Sequence, residues 1–211
     1  MPRSGEWFEN TVTGERARLD VSPDETAGRR LEAQLWVQPK GAVMAAHVHD
    51  HLHERFTVLD GELAVVLDGR PSVAMPGDVV DVPPGTPHDW SNQGSQVASV
   101  RVEIEGAAPM ASRFAEAIEV GFGLANTGRT DDTGRPTLLW LAGMAREYRD
   151  VLRLTSPPAL VQAAVLGPLA VVARLSGRDP RADWLHGPGS PSRAASGMLL
   201  ECPARPSASA A

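Results

Sequence analysis

Four of the six histidines fall in one short run, Gly41 to Gly61, which reads GAVMAAHVHDHLHERFTVLDG, and a fifth, His88, follows soon after. Side chains alternate along an extended strand, so His47 and His49 project to one side, with Val43 and Ala45 ahead of them on that face. Two imidazoles so placed can ligate one metal ion. In an unbroken strand His51 and His53 would share that face, so alternation alone nominates four histidines. The next strand chooses among them, because Glu54, Phe56 and Val58 share one face and Arg55, Thr57 and Leu59 the other. Turning the apolar pair inward brings Glu54 inside and puts His53 outward, which requires a turn near Asp50 to His53. The candidate ligands are then His47, His49 and Glu54, with His88 from a later strand as the fourth.

Three neutral imidazoles and one carboxylate would reduce a divalent ion to a site of about +1. Without a cation, Glu54 would be a buried carboxylate carrying a desolvation cost. Nitrogen and oxygen donors in this ratio suit one divalent transition metal (Fe, Mn, Ni, Cu or Zn) better than calcium or magnesium. An octahedral ion would keep about two open positions, and open positions make a metal site catalytic.

The elements that must position these residues are short strands. Residues 6 to 21 read as a hairpin, with Thr13-Gly14-Glu15 as the turn ahead of Ala17, Leu19 and Val21. Arg30 to Gln38 alternates Leu31, Ala33, Leu35 and Val37 against Glu32, Gln34 and Trp36. Further strand runs follow at Val43 to His49, Arg55 to Leu59, Leu63 to Leu67, Val73 to Met75, Val79 to Val82, His88 to Ser91 and Val97 to Ile104. Asp60-Gly61 and Asp68-Gly69 are tight-hairpin signals, since such turns need positive φ. About ten strands with no intervening helix predict an antiparallel sandwich or barrel over residues 1–106.

After Gly106 the pattern becomes helical. Ala111 to Leu124 reads as one helix and Pro136 to Leu154 as another, with Arg146, Glu147, Arg149, Asp150 and Arg153 as its solvated side. Pro157 to Ala173 is nearly all apolar but shorter than the roughly 20 residues of a membrane span, and Gln162, Gly167 and Pro168 interrupt it. It reads as a buried helix pair, with a membrane-associated segment as the alternative, so residues 107–177 form a helical extension packed on the barrel or on a partner. The Gly, Pro, Ser and Ala content of 178–211 predicts a disordered tail.

Bulk properties narrow the partners. Residues 1–106 carry 9 basic against 17 acidic groups, and a surface of that sign repels phosphate backbones, so no nucleic-acid partner is expected. The single cysteine, Cys202, permits no intramolecular disulfide, and the opening MPRSGEWFEN lacks the apolar run of a secretory signal. A cytoplasmic setting is the expectation.

Two stretches resemble a known family. In the first, Gly41 is followed by His47, His49, Glu54 and Gly61; in the second, Gly77 is followed by Pro83, Gly85, His88 and Asn92. At these spacings they resemble the two conserved motifs of the cupin superfamily, over roughly residues 30 to 105. The resemblance implies a mainly β, jelly-roll double-stranded β-helix barrel with the metal in its mouth, ligand roles for His47, His49, Glu54 and His88, and a homodimer. His51 and His53 are extra to the pattern, as gating residues or alternative ligands.

Among cupins, the quercetinase-like kind implies a metal-dependent dioxygenase acting on a small organic molecule, with Glu54 loosening from the metal to act as a base. Leu35, Phe56, Val65 and Trp90 are the expected inward pocket residues. The alternatives are a small-molecule-binding or sensing module, and a non-redox isomerase or cyclase, because fold and ligand set do not name a reaction.

Overall fold

Alternation of apolar and polar residues in the first half produces two antiparallel sheets whose apolar faces meet, in a computed structural model that describes residues 2–41 and 45–193. Chain order gives β1 (Trp7–Asn10), β2 (Glu15–Val21), β3 (Arg30–Val37), β4 (His47–Val48), β5 (Leu52–Asp60) and β6 (Leu63–Leu67). Next come β7 (Arg70–Ala74), β8 (Val79–Val82), β9 (His88–Ser91) and β10 (Ala98–Gly106). The first sheet runs β1-β2-β3-β10-β5-β8, and the second places β4, β9, β6 and β7 side by side. Phe56, Val58 and Val100 from the first sheet and Leu63, Val65 and Trp90 from the second share one buried core.

The tight turns follow their residue chemistry. Asp68 and Gly69 both take positive φ, at 49° and 74°, which closes β6 onto β7. Gly61 is required twice over: its φ is 76°, and a Cβ there would come within 2.8 Å of the Ala98 Cα. A side chain at Gly61 would therefore push β10 away from the β5–β6 connection.

The structure corrects several expectations. The two facing antiparallel sheets agree with the expected mainly β, jelly-roll sandwich or barrel, but no strand pairing among the described residues joins them, so they do not close into a ring. Glu15 is not a turn residue but the first residue of β2, on the same buried face as Ala17 and Leu19. The expected strand from Val43 to His49 is described only at His47–Val48, and Val43 itself lies outside the described residues.

Helix α1 (Met110–Asn126) buries ten of its residues, among them Ala111, Val120 and Leu124, against β1, β3 and β10. Helix α2 (Leu138–Glu147) is shorter than the expected Pro136 to Leu154, because the charged groups expected on its solvated side are drawn elsewhere. Arg113 of α1 holds the Asp150 carboxylate at 3.2 Å and also pairs with Glu147. The chain then turns, and Arg153–Leu154 adds a further strand, β11, beside β4, where Arg153 pairs with Asp50 at 2.9 Å.

The apolar stretch beyond is one helix, α3 (Ala159–Leu175), with Pro168 inside it, and not a buried helix pair. Only Ala170 and Ala173 are buried, while Leu160 and Leu175 are more than four-fifths exposed. Packing against α2 uses the small residues and leaves the large ones outside. No helix among the described residues is long and apolar enough to cross a membrane. Residues 178–193 also depart from the expected disordered tail: Leu185 is fully buried, and Arg193 bonds Glu119 and Glu6. Cys202 lies outside the described residues.

Candidate metal centre

Pairing between β4 and β9 sets His47 directly opposite His88, so two imidazoles leave the second sheet at one level. Glu54 comes from the facing sheet, where β5 alternates Leu52, Glu54, Phe56 and Val58 inward. His49 follows β4 in the bend that carries the chain across. Four donor atoms, one each from His47, His49, Glu54 and His88, lie within 4.8 Å of one another, and all four residues are buried. Opposite ligands on one ion with bonds of about 2.1 Å stand about 4.2 Å apart. The cluster is therefore close to the span of a single coordination sphere.

The second nitrogen of each imidazole decides what the first presents. Nδ1 of His47 donates to the Ala45 carbonyl at 2.9 Å, Nδ1 of His88 to the Thr86 carbonyl at 3.0 Å, and Nδ1 of His49 to the Val151 carbonyl at 2.6 Å. A carbonyl oxygen only accepts, so each Nδ1 carries a proton and each Nε2 faces the cluster, where a neutral ring offers a lone pair to a metal. Without an ion, burial lowers His88 but the Glu54 carboxylate outweighs it and holds that imidazole above its ordinary value. His88 Nε2 then stands 2.9 Å from Glu54 Oε2, and His49 Nε2 stands 3.3 Å from the same oxygen. His49 Nε2 has no hydrogen-bond partner among the described residues. Lone pairs facing a carboxylate are unfavourable unless a cation or a proton sits between them. The donor set therefore fits a divalent metal ion.

Burial, then neighbouring His49 and His88, push the His47 imidazole down to about 3, so it is neutral and ready to bind at ordinary pH. Burial pushes the Glu54 carboxyl up, but the His49 and His88 imidazoles beside it outweigh burial and hold it at about 2. Neutral nitrogens around an ionised oxygen are the state that ligation needs.

Over the cluster lies an apolar cavity whose wall includes His47 and Glu54. Leu35 and Trp90 line it as expected from the sequence. Phe56 and Val65 do not; both are buried in the core behind the wall, where Phe56 packs on Trp90 at 5.1 Å between ring centres. Helix α1 closes the other side with Phe114, Ile118 and Phe122, spaced to fall on one helical face. Phe114 also meets the His49 ring edge-on at 5.5 Å.

His51 and His53 do not join the cluster. Both line a shallow outer depression with Arg29, Arg30 and Pro84, and His53 Nε2 lies 3.0 Å from Asp81. Trp90 shares the inward side of β9 with His88, whereas Asn92 bonds the Val37 and Gln96 carbonyls and pins the end of that strand.

Sequence reasoning missed the Val151 carbonyl, which lies 102 residues from the ring it orients. Backbone groups carry no signal in side-chain spacing. It also missed Glu15, whose signal was present, because Glu15, Ala17 and Leu19 share alternation parity.

Residues 34–104 match the family model described as the Cupin domain. Over 104 residues the chain is 33% identical to quercetin 2,3-dioxygenase of Bacillus subtilis strain 168, a match covering 49% of this chain and 31% of that relative's length. Among solved structures, a Cupin 2 conserved barrel domain protein from Salinispora arenicola aligns with a TM-score of 0.41 at 23% identity, over 51% of this chain and 87% of that one. A predicted oxalate decarboxylase from Thermotoga maritima aligns at 0.42 and 22% identity, over 44% and 80%. By the family-model match and the two motifs that converge on its histidine cluster, residues 34–104 form a cupin domain.

Proposed function

We propose that the protein is a metal-dependent oxygenase, of the dioxygenase kind, acting on a small and largely apolar organic molecule that carries an acidic hydroxyl. One observation carries the reading: three imidazole nitrogens and a carboxylate, their tautomers locked from behind, converge on the floor of an apolar cavity. The likeness to a quercetin 2,3-dioxygenase supports the same class. A divalent transition metal held there would supply Lewis acidity and, where redox-active, electron exchange with dioxygen.

The chain's own residues do the rest. Glu54 is ionised and lines the cavity, so its Oε2 is placed to take the proton of a substrate enol or phenol and leave the oxyanion that reacts. Leu35, Trp90 and Phe114 exclude water from that step and hold the apolar body. A small-molecule substrate and a homodimer complete the reading, the latter supported by the exposed apolar side chains of α3.

Elemental analysis of protein purified without tag or chelator, beside a His47→Ala, His88→Ala double variant, tests this. Near-stoichiometric iron, manganese, nickel or copper, lost in the variant, with oxygen uptake on phenolic or dicarbonyl compounds, is the expected result. Zinc alone would favour an isomerase or cyclase, and absence of metal a binding or sensing module.

A further inference from the structure

The cavity has a second polar end that the metal chemistry leaves unused. Glu15 is 3% exposed and lines the same cavity as Glu54, yet its Oε1 finds no hydrogen-bond partner among the described residues. Its neighbours on the inner face of β2 are Ala17 and Leu19. The other acidic wall residue, Glu119, is by contrast satisfied: Arg193 holds its Oε1 at 3.2 Å and the Gly187 amide at 3.1 Å.

Glu15 is also far from the cluster. Three strand steps separate β2 from β5, through β3 and β10. Arg16 pairs with Trp36, so Glu15 falls near the level of Val37 and Ala98, whereas Glu54 pairs with Ile104 at the other end of β10. With strands about 4.8 Å apart and a rise of about 3.4 Å per residue, no single ligand atom reaches both carboxyls.

An isolated carboxyl in an apolar wall costs stability, and no hydrogen bond to Oε1 among the described residues offsets it. We infer that Glu15 is a recognition subsite, hydrogen-bonding a neutral hydroxyl or carbonyl group at the end of the ligand remote from the metal cluster. Burial pushes its carboxyl up to about 8, so at neutral pH it presents one O–H donor and one carbonyl acceptor. Such a group selects a neutral polar substituent on an apolar body over an anion. The inference deepens the proposed function by adding a second polar end to the substrate, and it rests on that reading only for what occupies the first.

Phenol and toluene are near-isosteres that differ in a hydroxyl, and their binding to the full-length chain can be compared by calorimetry, as purified and after chelation. Wild type and Glu15→Gln, which keeps a donor and an acceptor, should share one phenol-to-toluene affinity ratio within about two-fold. In Glu15→Leu the ratio should fall about ten-fold, the worth of one hydrogen bond. The ligand-free Glu15→Leu protein should melt about 4 °C higher, because an unpartnered buried carboxyl is gone. An unchanged ratio in Glu15→Leu, a lowered melting temperature in that variant, or no phenol binding to wild type would each overturn the inference. Because the ratio is read without metal, failure of the metal reading and failure of this one are told apart.

Discussion

Glu54 and Glu15 are chemically identical, almost equally buried and both set on the inner face of one sheet, and yet they are driven in opposite directions. Glu54, beside His49 and His88, is held at about 2, whereas Glu15, beside alanine and leucine, is pushed up to about 8. Burial acts on both with the same sign; the partners decide the outcome. One cavity thus contains an anionic oxygen suited to a cation and a neutral carboxyl suited to a hydrogen bond. The difference teaches that an inward glutamate is not by itself a ligand, and that the company it keeps must be read.

The largest test of that contrast is to neutralise each group in turn. Glu54→Gln keeps the shape but removes the charge, and should weaken metal retention on dialysis at least about ten-fold and reduce any metal-dependent turnover by about 10²-fold or more. Glu15→Leu should leave metal content unchanged in the same elemental assay. Equal metal loss in both variants would mean that the two ends are not chemically separate.

A second test uses pH. Free carboxyls ionise near 4.5, so Glu54's contribution to stability is present above that value and is lost as pH falls through about 2. His47 adds to the acid side, since its neutral buried state is lost as pH falls from 6.5 toward about 3. Glu15 has the opposite sign: between 4.5 and about 8 the folded state holds a proton that the unfolded chain has released, so stability declines as pH rises through that window. The slope is at most about 1.4 kcal/mol per pH unit. Urea unfolding of chelated protein from pH 6.5 to 8, above the window in which His47 acts with the opposite sign, should show the decline in wild type and a flatter profile in Glu15→Leu. A rising wild-type profile that Glu15→Leu leaves unchanged would count against a neutral Glu15.

How much of this was legible in the sequence depends on the range of the interaction. Alternation and Asp-Gly turns are local, so most strands, and the turn that resets parity between His49 and Glu54, are readable from residues near one another. Gly14 makes Glu15 look like part of a turn, although β2 begins at that residue. The second helix looks longer in the sequence than it is, because Asp150 and Arg153 resemble a solvated helical side, whereas they pair with Arg113 and Asp50 from distant elements. Apolar content misled over α3, whose small residues pack while Leu160 and Leu175 stay outside.

That distant support gives the finest way to separate the two ends of the cavity. Arg113 ties α1 to the turn containing Val151 through Asp150 and the Glu147 backbone carbonyl, and the Val151 carbonyl in turn fixes the His49 tautomer. These ion pairs are partly exposed, so Arg113→Met should cost only about 1 kcal/mol, or 2–4 °C in melting temperature. Loosening the carbonyl behind a metal-binding imidazole acts on the metal more than on the fold, and metal affinity should drop about ten-fold. Glu15 stands on β2, which is held by β1 and β3, so its phenol-to-toluene ratio should not move in this variant. Competition with a chromophoric chelator would measure the first effect and calorimetry the second. If Arg113→Met changes the ratio but not the metal affinity, the extension serves the roof of the cavity rather than the histidine it reaches.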